Sequence, residues 1–276
     1  MNSMVIAVSP SRWEKIKSLT GEFFAFTQKQ IQACIFAGSF FVLLAASKYL
    51  PLLGMPRYDF LLMAAIVLQI ILLVSKLETP DELKTICVFH VLGLCLEIFK
   101  THPAIGSWSY PEFAYSKIFG APLYAGFMHA AVASYVAQSW RLLDLKLENY
   151  PSYSLSLPLA GLIYLNFFTH HFIGDFRWWL CAALILVFRK TRIYFRPRKH
   201  EYHMPLLCSF VLIGFFIWIA ENISTFFGAW VYPNQGSFWQ HVHAGKISSW
   251  SLLVVITIII VADLKHIKQG RTQQGN

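Results

Sequence analysis

The feature that most constrains this chain is the recurrence of apolar runs long enough to cross a bilayer as helices. They fall at roughly 30–50, 59–77, 84–100, 120–141, 155–174, 176–190, 204–227 and 247–265. A soluble domain carries about 25% charged residues, whereas this chain is 13% charged, 56% hydrophobic and 16% aromatic. An all-α polytopic membrane bundle of about eight transmembrane helices is therefore expected. The sixth run is short, but Arg189, Lys190 and Arg192 follow it, and long basic side chains there can snorkel and lengthen the span. The third carries His90 and Glu97 and is apolar elsewhere.

A net charge of +9 first suggests nucleic acid, until the basic residues are mapped onto the spans. With the N-terminus inside, 17 of the 23 Lys and Arg fall in inner segments, including the six between Arg189 and Lys199. The outer segments hold Lys48, Arg57, Lys100, Lys117, Arg177 and Lys246. This positive-inside bias predicts a multi-pass protein of the cell membrane with both termini cytoplasmic. The charge orients the chain, so membrane lipids, not nucleic acid, are the expected partners.

Residues 1–29 contain no apolar signal-peptide core, while Trp13, Ile16, Leu19 and Phe23 recur at helical spacing beside Lys17. They read either as an amphipathic interfacial lead-in or as an ordered cytoplasmic cap. A single transmembrane domain over 30–265 and a cytoplasmic tail over 266–276 follow. The five cysteines all lie in apolar runs with no Cys-x-x-Cys pair. They read as small buried hydrophobes.

Two stretches nearly repeat each other. Glu97 precedes Gly106-Ser107-Trp108-Ser109-Tyr110-Pro111, and Glu221 precedes Gly228-Ala229-Trp230-Val231-Tyr232-Pro233; the Gly, Trp, Tyr and Pro pairs are each 122 positions apart. Asp144-Leu145-Lys146 and Asp263-Leu264-Lys265, and Asp59-Phe60 and Asp175-Phe176, recur in the same order. A 4+4 duplication, with halves about 30–146 and 155–265, accounts for this order. Four spans per half make the repeats parallel, which places equivalent residues at the same depth.

Apart from Asp59 and Asp263 at run ends, Glu97 and Glu221 are the only carboxylates, of fourteen, inside the apolar runs. Such residues face protein or water and mark function by default, the alternative being a purely structural hydrogen bond. His90, Gly93 and Glu97 share a helical face, as do Gly214 and Glu221. Asn166, His170 and His171 lie in the outer half of span five. Trp108, Tyr110, Trp230 and Tyr232 suit an interfacial aromatic belt, or a tight turn that caps a cleft. Several histidines near two carboxylates leave a divalent metal open but not favoured, because no His-Glu-x-x-His spacing occurs.

The stretches Leu96-Glu97-Ile98-Phe99-Lys100, Gly106 to Pro111, Asn166-Phe167-Phe168-Thr169-His170-His171 and Trp218-Ile219-Ala220-Glu221-Asn222 resemble the YoaT-like family of bacterial integral membrane proteins of unknown function. The resemblance runs from about 28 to 265 and implies a membrane location, with no activity attached. A glutamate followed by a Gly-x-aromatic-x-Tyr turn is also similar to a pattern in the membrane carotenoid hydratases, over some ten residues.

Three functions are compatible with these residues. One is a membrane enzyme using Glu97 and Glu221 for acid/base hydration or hydrolysis of a lipid or isoprenoid. His90, Asn166, His170, His171, Asn222, Trp108, Tyr110, Trp230 and Tyr232 would then contact substrate. The others are a proton-coupled transporter and a membrane scaffold.

Overall fold

The computed structural model describes residues 12–236 and 238–274. Nine α-helices are found among them: α1 (Arg12–Ala33), α2 (Ile35–Ala46), α3 (Arg57–Val74), α4 (Pro80–Thr101), α5 (Tyr124–Leu142), α6 (Tyr153–Thr169), α7 (Arg177–Phe188), α8 (Leu206–Phe226) and α9 (Lys246–Gln274). Residues 1–11 of the lead-in and 275–276 of the tail lie outside the described residues, as do the side chains from 263 onward, which include the second Asp-Leu-Lys segment.

Each apolar run coincides with a helix, but the boundaries follow local chemistry. Thr79 begins α4 through a capping box, its hydroxyl accepting from the Glu82 amide while the Glu82 carboxylate accepts from the Thr79 amide. The reciprocal bonds satisfy two amides the helix leaves open, and Pro80 suits the first turn. The lead-in does not stop at residue 29. It continues as helix to Ala33, and the axis turns by 60° into α2. Neither glycine nor proline stands at the bend, so the run over 30–50 reads as one span.

By length and composition α3 and α8 are long and apolar enough to cross a membrane, and the bent α1–α2 pair makes a third if it is one broken span and not a re-entrant loop. Helices α6 and α7 and the segment Lys246–Ala262 are apolar but shorter. On α3, Met63, Val67, Ile70 and Val74 form an exposed apolar stripe, and Trp178 and Ile185 of α7 and Val211 of α8 are exposed as well. An apolar surface of this extent marks membrane or partner contact.

Short strands complete the chain. Strands β1 (Lys117–Ile118) and β2 (Ala121–Pro122) form a hairpin before α5. Strands β3 (Lys146–Glu148), β4 (Arg192–Phe195) and β5 (Tyr202–Pro205) form an antiparallel sheet in the order β3-β4-β5. This sheet occupies the basic 190–203 connection, and α1 packs on it through Phe26 against Phe195 and a Lys29 bond to the Arg196 carbonyl.

The helix contacts have an internal order. The pairs α4–α5 and α8–α9 pack closely, α2 packs on α3 and α5, and α6 packs on α7 and α9. Contacts α2–α8, α4–α6 and α5–α9 join these groups. Exchanging α2 with α6, α3 with α7, α4 with α8 and α5 with α9 maps this set onto itself; the contacts without a counterpart are α3–α5, α7–α8 and those of α1 with α5 and α2. Glycines set the two tightest crossings. A Cβ on Gly93 would collide with His129 of α5, and one on Gly214 with Ser251 of α9.

Candidate functional site

The two Gly-x-Trp-x-Tyr-Pro segments leave the ends of α4 and α8 and meet. Gly106 and Gly228 both take positive φ, 57° and 68°, a conformation that costs residues with a Cβ about 1–2 kcal/mol. The turns they permit run the two segments antiparallel. Ser109 and Val231 exchange both backbone hydrogen bonds, each 2.9 Å. Behind each turn, Thr101 and Thr225 return their hydroxyls to the carbonyls of Glu97 and Glu221.

The aromatic residues point inward. Tyr110, Trp230 and Tyr232 are buried, and of the two readings, interfacial belt or capping turn, this burial accords with the capping turn. Glu97 Oε2 accepts from Trp108 Nε1 at 2.7 Å and from the Tyr110 hydroxyl at 2.8 Å, and Oε1 faces His129 Nε2 at 2.9 Å. An ionised carboxylate only accepts, so in that state of Glu97 the ring nitrogen of His129 is the donor. Glu221 Oε1 accepts from the Tyr232 hydroxyl at 2.5 Å, and Oε2 from Trp250 Nε1 at 2.7 Å. Each carboxylate is thus held by the tyrosine of its own turn and by a ring nitrogen of the helix that follows. The two rings, His129 and Trp250, themselves meet at a centroid separation of 6.3 Å. Trp108 reaches across to Tyr232, edge to face at 6.0 Å.

Arg57 braces the second turn from α3. Its buried guanidinium donates to the Ser47 hydroxyl, the Glu112 carboxylate and the carbonyls of Leu44, Phe227 and Gly228. Like Lys100 and Lys246, it registers in the sequence only as one of six outer basic residues.

Lys246, at the start of α9, has its ammonium 5.3 Å from the Trp108 ring centre and 4.7 Å from that of Tyr232, a doubled cation–π contact. Lys100, 4% exposed, reaches His171 Nε2 at 2.8 Å and His170 Nε2 at 3.4 Å. His170 Nδ1 meets the Asn166 carbonyl at 2.8 Å. That carbonyl can only accept, so Nδ1 holds the proton and Nε2 is free to accept from Lys100.

Glu97, Trp108, His170, Trp230, Tyr232 and Glu221 all line one cavity of about 810 Å³, together with Lys100, Arg177, Lys246 and Trp250. Away from this polar end the lining is largely apolar. It continues along α5 to Leu143 and Leu145 and on to Ile193, Phe195 and Met204 of the small sheet.

Several expected site residues serve as supports. Tyr110 lies behind Glu97. Asn166 donates to Asp175 at 3.1 Å and accepts from the Phe176 amide, which ties α6 to α7. Burial alone would raise the Asp175 carboxyl, but the bonds from Asn166 and the Arg177 amide, with the Arg177 charge, hold it below the ordinary carboxylate range. Asn222 joins α8 to the Val242 amide. His171 anchors Lys100, and His90 packs on Gly126 and on Phe127 at 4.6 Å, away from the cavity lining. Among the described residues no group of three His, Cys, Asp or Glu is arranged to hold a metal ion.

Trp250 and Lys246 escape the sequence reading as site residues, whereas His129 is among the outer-side histidines it gathers near the two carboxylates. The signal available for Trp250 is a register, since His129 and Trp250 follow their glutamates by 32 and 29 positions. The shared Glu-x-x-x-Thr of Glu97–Thr101 and Glu221–Thr225 is a further mark of the repeat.

These features define a mostly helical protein with paired carboxylates at the end of an apolar cavity, and its family follows from comparison. Residues 22–258 match the family described as "Protein of unknown function (DUF817)", and the chain belongs to that family. It is 54% identical over 244 residues to "Uncharacterized protein YoaT" of Bacillus subtilis (strain 168), covering 88% of this chain and 92% of that one. The motif-based resemblance to a YoaT-like family is thereby borne out. No solved structure matches the chain.

Proposed function

We propose that this chain is a multi-pass membrane enzyme that uses Glu97 and Glu221 as an acid/base pair to hydrate or hydrolyse a lipid or isoprenoid. In this reading the eight helical regions from α1–α2 to α9 each span the cell membrane. The halves 30–146 and 155–265 are parallel repeats of one domain, between a cytoplasmic lead-in at 1–29 and a tail at 266–276. The exchangeable helix contacts and the Ser109–Val231 pairing support the repeat. The exposed apolar stripes support the membrane.

The observation that carries the function is that both glutamates line the same mostly apolar cavity at its polar end. Glu97, which accepts three hydrogen bonds, is assigned the base that takes a proton from the attacking water. Glu221, which accepts two, is assigned the acid that protonates the substrate's double bond or leaving oxygen. Water supplies one proton and one hydroxyl, and proton exchange between the carboxyls resets the pair. Of the expected contact residues, Trp108, Trp230, Tyr232 and His170 face the cavity and are retained as the ones that touch substrate. The test is an untargeted lipid and isoprenoid comparison of wild type, a deletion strain and the Glu97→Gln/Glu221→Gln variant. The variant should reproduce the deletion profile; a wild-type profile beside an altered deletion profile would sink the reading.

A proton-coupled carrier is the second reading, favoured by one further observation. Glu78 is fully buried toward the other end of α4, and accepts from Gln69, Ser134 and Gln138. A carboxylate there supplies the second depth of polar groups that proton coupling needs. Cysteine accessibility along α5 separates the two, because a carrier exposes the cavity to both sides in turn and the enzyme to one.

A further inference from the structure

The cavity's polar end is saturated with acceptors' partners and left with unused donors. Glu97 and Glu221 have both oxygens bonded. The Lys246 ammonium lies over two ring faces and within the field of the Glu221 and Glu97 carboxylates, with no hydrogen-bond acceptor among the described residues. The Lys100 ammonium meets only two imidazoles and has no carboxylate within ion-pair distance among those residues. Arg177 joins them on the lining; it holds an ion pair to Asp175 at 3.1 Å and donates through Nη1 to the Gly245 carbonyl and the Ser248 hydroxyl, which leaves its Nε–H without a hydrogen-bond partner among the described residues. Three cations with N–H groups to spare call for a head group rich in acceptor oxygens and negative charge. A neutral hydroxyl head cannot occupy them all.

The remainder of the cavity fixes the other end of the ligand. Its lining on α5 runs from Met128 to Trp140, about 18 Å of helix at 1.5 Å per residue. That exceeds the roughly 15 Å of hydrocarbon in one leaflet. The slot is therefore sized for one long extended chain.

We propose that the cavity binds a single-chain amphiphile with a phosphate head, the head seated among Lys100, Arg177 and Lys246 and the chain directed along α5 toward Ile193 and Met204. This rests on the acid/base reading above and narrows its substrate class. The chain can be isoprenoid or acyl in origin, and the probes separate the two.

The experiment uses the purified full-length protein in detergent, read by its thermal midpoint and by tryptophan fluorescence, since Trp108 and Trp250 flank the head site. The probes are geranylgeranyl phosphate and hexadecyl phosphate, their alcohols geranylgeraniol and hexadecanol, and inorganic phosphate alone. At least one phosphate amphiphile should raise the midpoint and change the fluorescence, and its chain type names the source. Its alcohol should bind roughly tenfold more weakly or worse, and inorganic phosphate should do neither. Lys246→Gln and Lys100→Gln should each weaken the phosphate amphiphile by roughly tenfold and leave the alcohol unchanged. Gly38 lines the slot with open space around a Cβ, so Gly38→Leu projects into it and should weaken the amphiphile and its alcohol alike. Equal binding of alcohol and phosphate, an equal response to inorganic phosphate, no response to any probe, or an unaffected Gly38→Leu variant would each overturn the inference. Loss of head-group discrimination leaves the Glu→Gln lipid comparison standing. An unchanged lipid profile in the Glu variants sinks the enzyme reading and leaves the binding results standing.

Discussion

Ser109 and Val231 occupy the same position in the two copies of the Gly-x-Trp-x-Tyr-Pro segment, and they pair with each other through two backbone bonds of 2.9 Å. Under the proposed repeat, a reciprocal pair between equivalent residues is what a two-fold relation would leave where its axis passes. His129 and Trp250, which follow the two glutamates on α5 and α9, meet in the same way at 6.3 Å. The consequence is chemical. Two carboxylates far apart in sequence are delivered to one cavity, each with its own cap.

Replacing Gly106 or Gly228 with alanine should destabilise the protein by about 1–2 kcal/mol, because both sit at positive φ. Alanine at Gly236, whose φ is −64°, is the control and should cost less. Unfolding midpoints in detergent measure the difference.

The helix crossings are a separate expectation. Gly93→Ala would press on His129, and Gly214→Ala on the Ser251 backbone. Each should cost about 1–3 kcal/mol through overpacking. Gly161→Ala, with open space around its Cβ, should be neutral or stabilising by the same assay.

Trp250→Phe and Tyr110→Phe each remove one donor from a buried carboxylate. A loss of about 1–3 kcal/mol is expected for each. Combining Trp250→Phe with Glu221→Gln should cost less than the sum, since both changes break one bond, and a double-mutant cycle reads the coupling.

Acid should unfold the protein partly through Asp175. Its carboxyl titrates lower when folded than when unfolded, so its contribution is present above the unfolded value of about 3.9 and is lost as pH falls through the folded value. Asp175→Asn should flatten the stability curve in that acid window and leave its shape near neutral pH unchanged. Unfolding midpoints across the window report it.

The helices were legible in the sequence because apolar composition marks them, although the run at 84–100 misses the first turn of α4, which Thr79 and Glu82 cap. Glu97 and Glu221 were legible as carboxylates within apolar runs. Glu78 was not, because it stands one residue beyond the run at 59–77 and is buried by Gln69 and α5. The inward aim of Trp108 and Tyr232 was hidden for a different reason. Hydropathy places such rings near an interface, but the turns at Gly106 and Gly228 decide which way they face. Lys246 read as one more outer basic residue, since only the folded turns bring Trp108 and Tyr232 beneath it. The bend at Cys34 has no breaker residue to reveal it.

The most direct measurement is cross-linking of a Ser109→Cys/Val231→Cys variant in intact cells. Residues that exchange both backbone bonds have Cα atoms about 5.5 Å apart, within disulfide range. Mild oxidation should join the two cysteines within one chain. Before oxidation, a membrane-impermeant thiol reagent should reach each single variant from the outer side, above the labelling of wild type. Absence of the disulfide, or labelling of the two positions from opposite sides of the membrane, would contradict a shared site built from parallel halves.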